Sequence, residues 1–514
     1  VDPLYPYSAE DWLQKQIAAI NTNLAAAVYP ATPEGATVRV RIDTIQVAES
    51  NPEPDFHHDG GWFINVDLRK GASAYYDPAS DIDWGLVHEL AHQMGLIDLY
   101  ASNIYQTSVF VLDQAGRQTN FGFEWPRGGI MGGGDIYPYT DWNMYDSHTA
   151  GGLSSNYGYR NGYYGVYQYD IPLQNNFLVL DNGGNPAPGV EVALYQRTPR
   201  LWDWTGHTGL DNTSEISGVT DSAGVFPLPN RSAGGGAVTE IGHVLQDNPF
   251  GKVDFIGGNN RFLVKLSQGA HEEFFWLDIT AFNLAYWMGN TDEYTFVIHS
   301  HVPPAAAPAA PVIAPVKVQG NDIALCWQPS ASTGVTLTRL YRANPPDYLY
   351  TRVAELPASQ PCFTETLPGG WYGGFIYAAT AVTAGGAESG FSNSAWAPRL
   401  VNPTAVTILP DGRSLILDAQ NGFAVLEQEA AGHYLGNLGS VHYHLENSAY
   451  MALDANGHLL LNHPGDWYVP RQSVRIADLE LTPRLEFGEA GSQPGQFDNP
   501  AGVASWGDAC TYGG

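Results

Sequence analysis

Residues 88 to 98 read His-Glu-Leu-Ala-His-Gln-Met-Gly-Leu-Ile-Asp, an HExxHxxGxxD run. These residue types at this spacing suit metal-assisted hydrolysis. On a helix, His88 and His92 lie one turn apart on one face, so both imidazoles reach one metal. Glu89 is turned about 100° away. It misses the inner shell and still touches the water a metal activates, as a general base. Gly95 allows the positive φ that ends a helix and reverses the chain. The reversal returns Asp98 as a third ligand, with Glu124, Asp135 and His148 as alternatives for that place. Three protein ligands and one open position are the layout of a catalytic zinc site. Two solvated histidines on an ordinary helix are the plain alternative, and the added glycine, aspartate and apolar framing weigh against it.

That framing is helical. Trp84, Val87, Leu90, Ala91 and Met94 recur at helical spacing, and Ser80 with Asp83 reads as a capping box ahead of them. Upstream, residues 8–27 read as a helix, and 37–47 alternates apolar and polar as a half-buried strand does. Residues 62–68 read as a further short strand. His57 and His58 before it read as loop histidines.

The run resembles the metzincin clan of zinc peptidases, in the branch whose third ligand is Asp. Gly95-Leu96-Ile97-Asp98-Leu99-Tyr100 is also similar to secreted bacterial peptidases related to immune inhibitor A. The resemblance covers residues 1–170. It implies a zinc endopeptidase in which Glu89 is catalytic, His88, His92 and Asp98 hold Zn2+, and a methionine turn lies beneath the metal. Met131, within Gly128-Gly129-Ile130-Met131-Gly132-Gly133-Gly134, is the better match for that turn, and Met144 is the alternative. Tyr137 and Tyr145, with Tyr139 and Tyr100, are candidates to stabilise the transition state.

The chain's 514 residues exceed one core. With 57 Gly and 35 Pro and few long helical patterns, mainly β modules are expected. The fold class expected is multidomain: an α+β metzincin-like catalytic domain followed by all-β modules, namely two β-sandwiches and a partial β-propeller. Residues 1–170 are the metallopeptidase-like part. Residues 171–302 resemble a carboxypeptidase regulatory-like β-sandwich, and 303–310 is a stiff Pro/Ala linker. Residues 311–398 resemble a fibronectin type III module. Residues 399–514 repeat a strand–turn–strand pattern whose turn glycines, Gly412 and Gly457, are 45 apart. Residues 487–500 resemble the NHL repeat, so incomplete propeller blades are expected, with the natural protein continuing further. Tyr157, Tyr159, Tyr163, Tyr164, Tyr167 and Tyr169 suit either a binding surface or packing.

Formal charge is −30, with five lysines among 23 basic residues. Such a surface repels nucleic acid and anionic membranes, and its acidic loops suit Ca2+. No apolar run is long enough for a membrane span. Of three cysteines, Cys326 and Cys362 fall in one β module and are expected to pair, leaving Cys510. The chain begins with Val1, which reads as a processed form or a fragment. These readings converge on a secreted or cell-surface zinc endopeptidase acting on protein or peptide, its β modules binding substrate, cell surface or matrix. The alternative is an extracellular structural or adhesive protein whose peptidase region is latent, self-processing or inactive.

Overall fold

Ser8 starts the first helix, α1 (Ala9–Ala26). Its hydroxyl accepts from the Asp11 amide at 3.1 Å while the Asp11 carboxylate accepts from the Ser8 amide at 3.2 Å, a reciprocal capping box. The structure is a computed structural model that describes residues 8–43, 76–77, 79–99, 104, 109–123, 129–132, 144–155, 165–197, 210–233, 245–253, 259–345, 348–368, 374–400, 402–418, 424–437, 450–463, 472–479, 483–498, 502–506 and 509–513.

After α1, a short antiparallel pair, β1 (Tyr76–Asp77) and β2 (Ile82–Asp83), runs straight into α2 (Trp84–Gln93). Then come α3 (Ser147–Ser155) and a 3-10 turn at Val166–Tyr169. Ile20 and Leu24 of α1, Val87 and Ala91 of α2, and Met131, Leu153 and Tyr167 share one buried core.

The α+β metzincin-like fold expected for residues 1–170 is overturned. Among the described residues the chain is β-dominated, with 27 strands against four α-helices. Among the described residues, the first 170 contribute three of those helices and, as strands, only the two-residue β1 and β2. One physical reason lies at Val40. Asn21 on α1 takes both its backbone groups: Nδ2 donates to the Val40 carbonyl and Oδ1 accepts from the Val40 amide, each at 2.7 Å. The alternating segment therefore satisfies its backbone against a helix side chain, and its described part, 37–43, joins no sheet. The strand expected at 62–68, with His57 and His58, lies outside the described residues.

The next unit has β3 (Gln174–Leu180), β4 (Glu191–Gln196), β5 (Ile216–Val219), β6 (Val225–Leu228), β7 (Arg261–Gln268), β8 (His271–Asp278), α4 (Ile279–Trp287) and β9 (Glu293–His299). Its sheets run β6-β3-β9, with β3 and β9 parallel, and β5-β4-β7-β8, all antiparallel. Phe177, Val192, Val264 and Phe282 are among the residues filling the space between them.

A second two-sheet unit is built from β10 (Val312–Ile313), β11 (Lys317–Gln319), β12 (Asp322–Gln328), β13 (Val335–Ala343), β14 (Tyr350–Pro357), β15 (Cys362–Thr366), β16 (Phe375–Thr383) and β17 (Ala395–Ala397). β12 pairs β10, β11 and β15, while the other sheet runs β14-β13-β16-β17. Cys326 and Cys362 are register partners on β12 and β15, 4.1 Å apart at Cα, and are joined by a disulfide.

Two four-stranded antiparallel sheets follow in simple sequence order. The first is β18 (Pro403–Ile408), β19 (Ser414–Asp418), β20 (Ala424–Gln428) and β21 (Tyr434–Asn437). The second is β22 (Met451–Leu453), β23 (Leu459–His463), β24 (Ser473–Ala477) and β25 (Pro483–Phe487). A hairpin of β26 (Gly502–Trp506) and β27 (Ala509–Gly513) ends the described chain. The first strands lie side by side, β18 against β22 and β22 against β26.

The units do not hang as separate beads. Phe121, from the hairpin at 109–123, is buried in one cluster with Trp276, Trp396, Leu426 and Tyr434, which come from three successive β units. No helix among the described residues is long and apolar enough to cross a membrane.

Candidate metal centre

α2 owes its start to Asp83. The Asp83 side chain accepts from the Leu86 amide at 3.2 Å, and the Asp83 amide donates to Gln16 Oε1 of α1 at 2.8 Å. The expected partner of this cap, Ser80, is used elsewhere: its hydroxyl bonds Asp77 in the tight turn between β1 and β2. Trp84, Val87 and Ala91 bury one face of α2 in the core. His88 and His92 are buried on the adjoining stripe.

α2 ends in a Schellman turn. The Gly95 amide donates to the His92 carbonyl at 2.9 Å and the Leu96 amide to the Ala91 carbonyl at 3.3 Å, with Gly95 at φ +98°. Glycine carries no Cβ penalty there. The reversal brings Asp98 back over the helix. Asp98 Oδ1 lies 3.0 Å from His88 Nε2 and 3.2 Å from His92 Nε2, and the two Nε2 atoms are 3.2 Å apart.

The other imidazole nitrogens fix what those atoms offer. His88 Nδ1 faces the Ile130 carbonyl at 2.7 Å and His92 Nδ1 faces the Leu96 carbonyl at 2.9 Å. A carbonyl only accepts, so each Nδ1 carries hydrogen, and in the neutral ring Nε2 is bare. Three acceptor atoms thus meet in a near-equilateral triangle. They repel one another unless a cation, a proton or a metal ion, lies among them. Ligands of a tetrahedral zinc at about 2.0–2.1 Å stand about 3.3 Å apart, close to the edges seen here.

The electrostatics run the same way. Where a proton rather than a metal fills the triangle, the imidazolium Nε2–H donates to Asp98. Burial pushes Asp98 up, but these hydrogen bonds from His88 and His92 outweigh it and hold the carboxyl below its usual range. Burial pulls His88 down, yet the Asp98 hydrogen bond and charge prevail and raise it. Glu89 differs from Asp98 in placement. Its side chain is 44% exposed against 1% for Asp98, and Glu89 Oε2 is 4.0 Å from His92 Nε2. His88, Glu89 and His92 also bring ligand atoms within 4.8 Å of one another. Of the two carboxylates, Asp98 is the one whose oxygen is buried and touches both imidazoles, as a candidate third ligand should. Glu89 is left open to solvent at the edge, where a base is useful.

Met131 sits in a β-turn closed by the Gly132 amide on the Gly129 carbonyl at 3.1 Å. Its neighbour Ile130 supplies the carbonyl that orients His88, and its own carbonyl accepts from the Leu99 amide at 2.9 Å. Gly129, at φ +80°, admits the Asp146 carboxylate, which would stand 2.7 Å from a Cβ. Met144 is largely exposed. Tyr145 is buried in the core beside this turn, and its hydroxyl has no hydrogen-bond partner among the described residues. His148 is turned to Asn283 Oδ1, 3.2 Å from its Nε2, and packs against Tyr167 and Trp287. Tyr137, Tyr139, Tyr100, Glu124 and Asp135 lie outside the described residues, as do Tyr157, Tyr159, Tyr163 and Tyr164; Tyr167 and Tyr169 are buried.

Sequence reading missed the carbonyls of Leu96 and Ile130, and it missed Asn283 and Trp287 altogether. A backbone carbonyl has no signature, and the other two lie far downstream in a different unit.

No protein-family profile matches the chain, and no curated protein matches it. Among solved structures it is similar over 19% of its length to a pectate lyase from Erwinia chrysanthemi, at 20% identity and TM-score 0.15, spanning 31% of that enzyme. An Fn3-like protein from Clostridium thermocellum is matched over all of its own length and 19% of this chain, at 26% identity and TM-score 0.15. A β-1,2-glucanase from Parabacteroides distasonis is matched over 28% of its length and 41% of this chain, at 16% identity and TM-score 0.16. At these scores the likenesses define neither the fold nor the activity of this chain.

Proposed function

We propose that the chain hydrolyses peptide bonds with a zinc ion held by His88, His92 and Asp98. One observation carries the reading: the 3.0, 3.2 and 3.2 Å triangle of acceptor atoms, each imidazole locked by a carbonyl behind it. When bound, the ion supplies Lewis-acid activation of a water and of the scissile carbonyl. Glu89 takes the proton from the attacking water and delivers it to the leaving amine. The buried carboxylate of Asp98 offsets the ion's charge and keeps both imidazoles aimed. Action outside the cell fits the Cys326–Cys362 disulfide, since such bonds persist in oxidising compartments. The β units then bind substrate or a surface.

A second reading, an extracellular structural protein with an idle metal site, draws on the shared core around Phe121, which ties residues 104–123 to three β units. The solvent-open Glu89 favours the first, because a purely structural metal site has no use for it. The test is cleavage of denatured casein by the full chain and its Glu89→Ala variant, each with bound zinc measured. Zinc in both with cleavage only by the unaltered chain supports the peptidase. Zinc in both with cleavage by neither favours the structural protein.

A further inference from the structure

α4 belongs to the first β-sandwich, where Ile279 and Phe282 bury in its core, and Asn283 and Trp287 on the same helix reach the metal-bearing region. Asn283 Nδ2 donates to the carbonyls of Tyr167, Gln168 and Asp170 at 3.3, 3.0 and 2.9 Å, clamping the 3-10 turn. Asn283 Oδ1 faces His148 on α3 at 3.2 Å. One turn further along α4, Trp287 donates from Nε1 to Asp170 Oδ2 at 2.9 Å. The α3 glycines make room for this. A Cβ on Gly151 would stand 2.3 Å from Trp287 Cε3, and one on Gly152 would stand 3.0 Å from Tyr167 Cδ2.

What is clamped matters. Tyr167 is buried, and its hydroxyl accepts from the Ile97 amide at 3.3 Å. On the other side of Asp98, the Leu99 amide donates to the Met131 carbonyl at 2.9 Å. Asp98 is therefore pinned from both flanks, by the Met131 turn and by Tyr167, and the second pin is set by α4.

We infer that Tyr167 is a positioning residue for Asp98 and that α4 is its buttress, so the sandwich is a working part of the metal centre. The inference rests on the metal-site reading above. It predicts that the metal region and residues 171–302 act as one unit, and that loosening the Tyr167 contact weakens the metal's third ligand.

The experiment compares the full chain with Tyr167→Phe, Trp287→Phe and a control, Tyr377→Phe, whose hydroxyl bonds Glu365 in the second sandwich. Zinc affinity is read by competition with a chromophoric chelator, and the coordination shell by the visible spectrum of the cobalt-substituted protein. Tyr167→Phe is expected to weaken zinc about tenfold or more and to alter the cobalt spectrum. Trp287→Phe is expected to do so in the same direction, and Tyr377→Phe to leave both unchanged. Should Tyr167→Phe fail to fold, Trp287→Phe decides by the same readouts. Wild-type affinity and spectrum in the deciding variant overturn the positioning role while leaving the metal site standing. Absence of zinc binding by the unaltered chain overturns the metal-site reading and this inference with it.

Discussion

His92 Nδ1 donates to the carbonyl of Leu96 across 2.9 Å, so the residue that closes the helix also fixes the tautomer of the candidate metal ligand four positions earlier. Helix end and proposed metal site are therefore one structure. Gly95→Ala places a Cβ residue at φ +98°. It is expected to cost about 1–2 kcal/mol in urea unfolding and to weaken zinc binding in the same protein. Unchanged zinc affinity beside the stability loss would separate the two.

Zinc binding to the triangle should stabilise the fold by mass action. Free zinc at 100 times its Kd is expected to add about 2.7 kcal/mol to unfolding, and a chelator to remove it. In His92→Ala neither addition nor removal should shift the melting temperature. A shift that persists in that variant would mean zinc binds elsewhere.

Gly151 on α3 leaves the slot that Trp287 fills. Gly151→Ala brings a Cβ to 2.3 Å from Trp287 Cε3. Overpacking of this kind costs about 1–3 kcal/mol. Thermal melts should show the loss, and Trp287→Leu in the same chain should recover part of it.

Glu273, in the first sandwich, anchors two histidines, His271 and His301, that meet Phe391 of the second. Its carboxylate takes the His301 amide at 2.7 Å and His301 Nδ1 at 2.8 Å, and faces His271 Nε2 at 3.6 Å. His271 Nδ1 in turn accepts from the Phe391 amide at 3.0 Å, so its proton lies on the Glu273 side. Burial pushes Glu273 up, but the histidine contacts win and bring it down to about 2. A depressed carboxylate gives stability that is complete above its unfolded value, about 4.3, and is lost as pH falls towards 2. The difference amounts to something on the order of 3 kcal/mol. Glu273→Gln should flatten the stability curve between pH 4.5 and 2; a curve as steep as that of the unaltered chain would assign the acid loss to other groups.

The Cys326–Cys362 bridge spans 36 residues. Closing a loop of that length in the unfolded chain is worth about 4 kcal/mol on the chain-entropy estimate. Cys326→Ser with Cys362→Ser should lower the unfolding midpoint accordingly while leaving zinc affinity as it was.

Much of the local structure was legible in the residues themselves. Apolar spacing at Trp84, Val87 and Ala91 places a helix there, and Gly95 is a residue that takes φ +98° without strain. Helix phase and turn conformation depend on neighbours three to five positions away, so sequence alone determines that His88 and His92 share a face. The rest was settled over distance. His88 is oriented by a carbonyl 42 residues on, Ile97 is held by a hydroxyl 70 residues on, and His148 meets Asn283 across 135. The expected α+β fold failed for the same reason. Alternation in 37–47 predicts a strand only if another strand is there to pair with it, and tertiary packing put Asn21 there instead. Local sequence set which atoms were available for chemistry, and the packing of remote segments decided which of them meet.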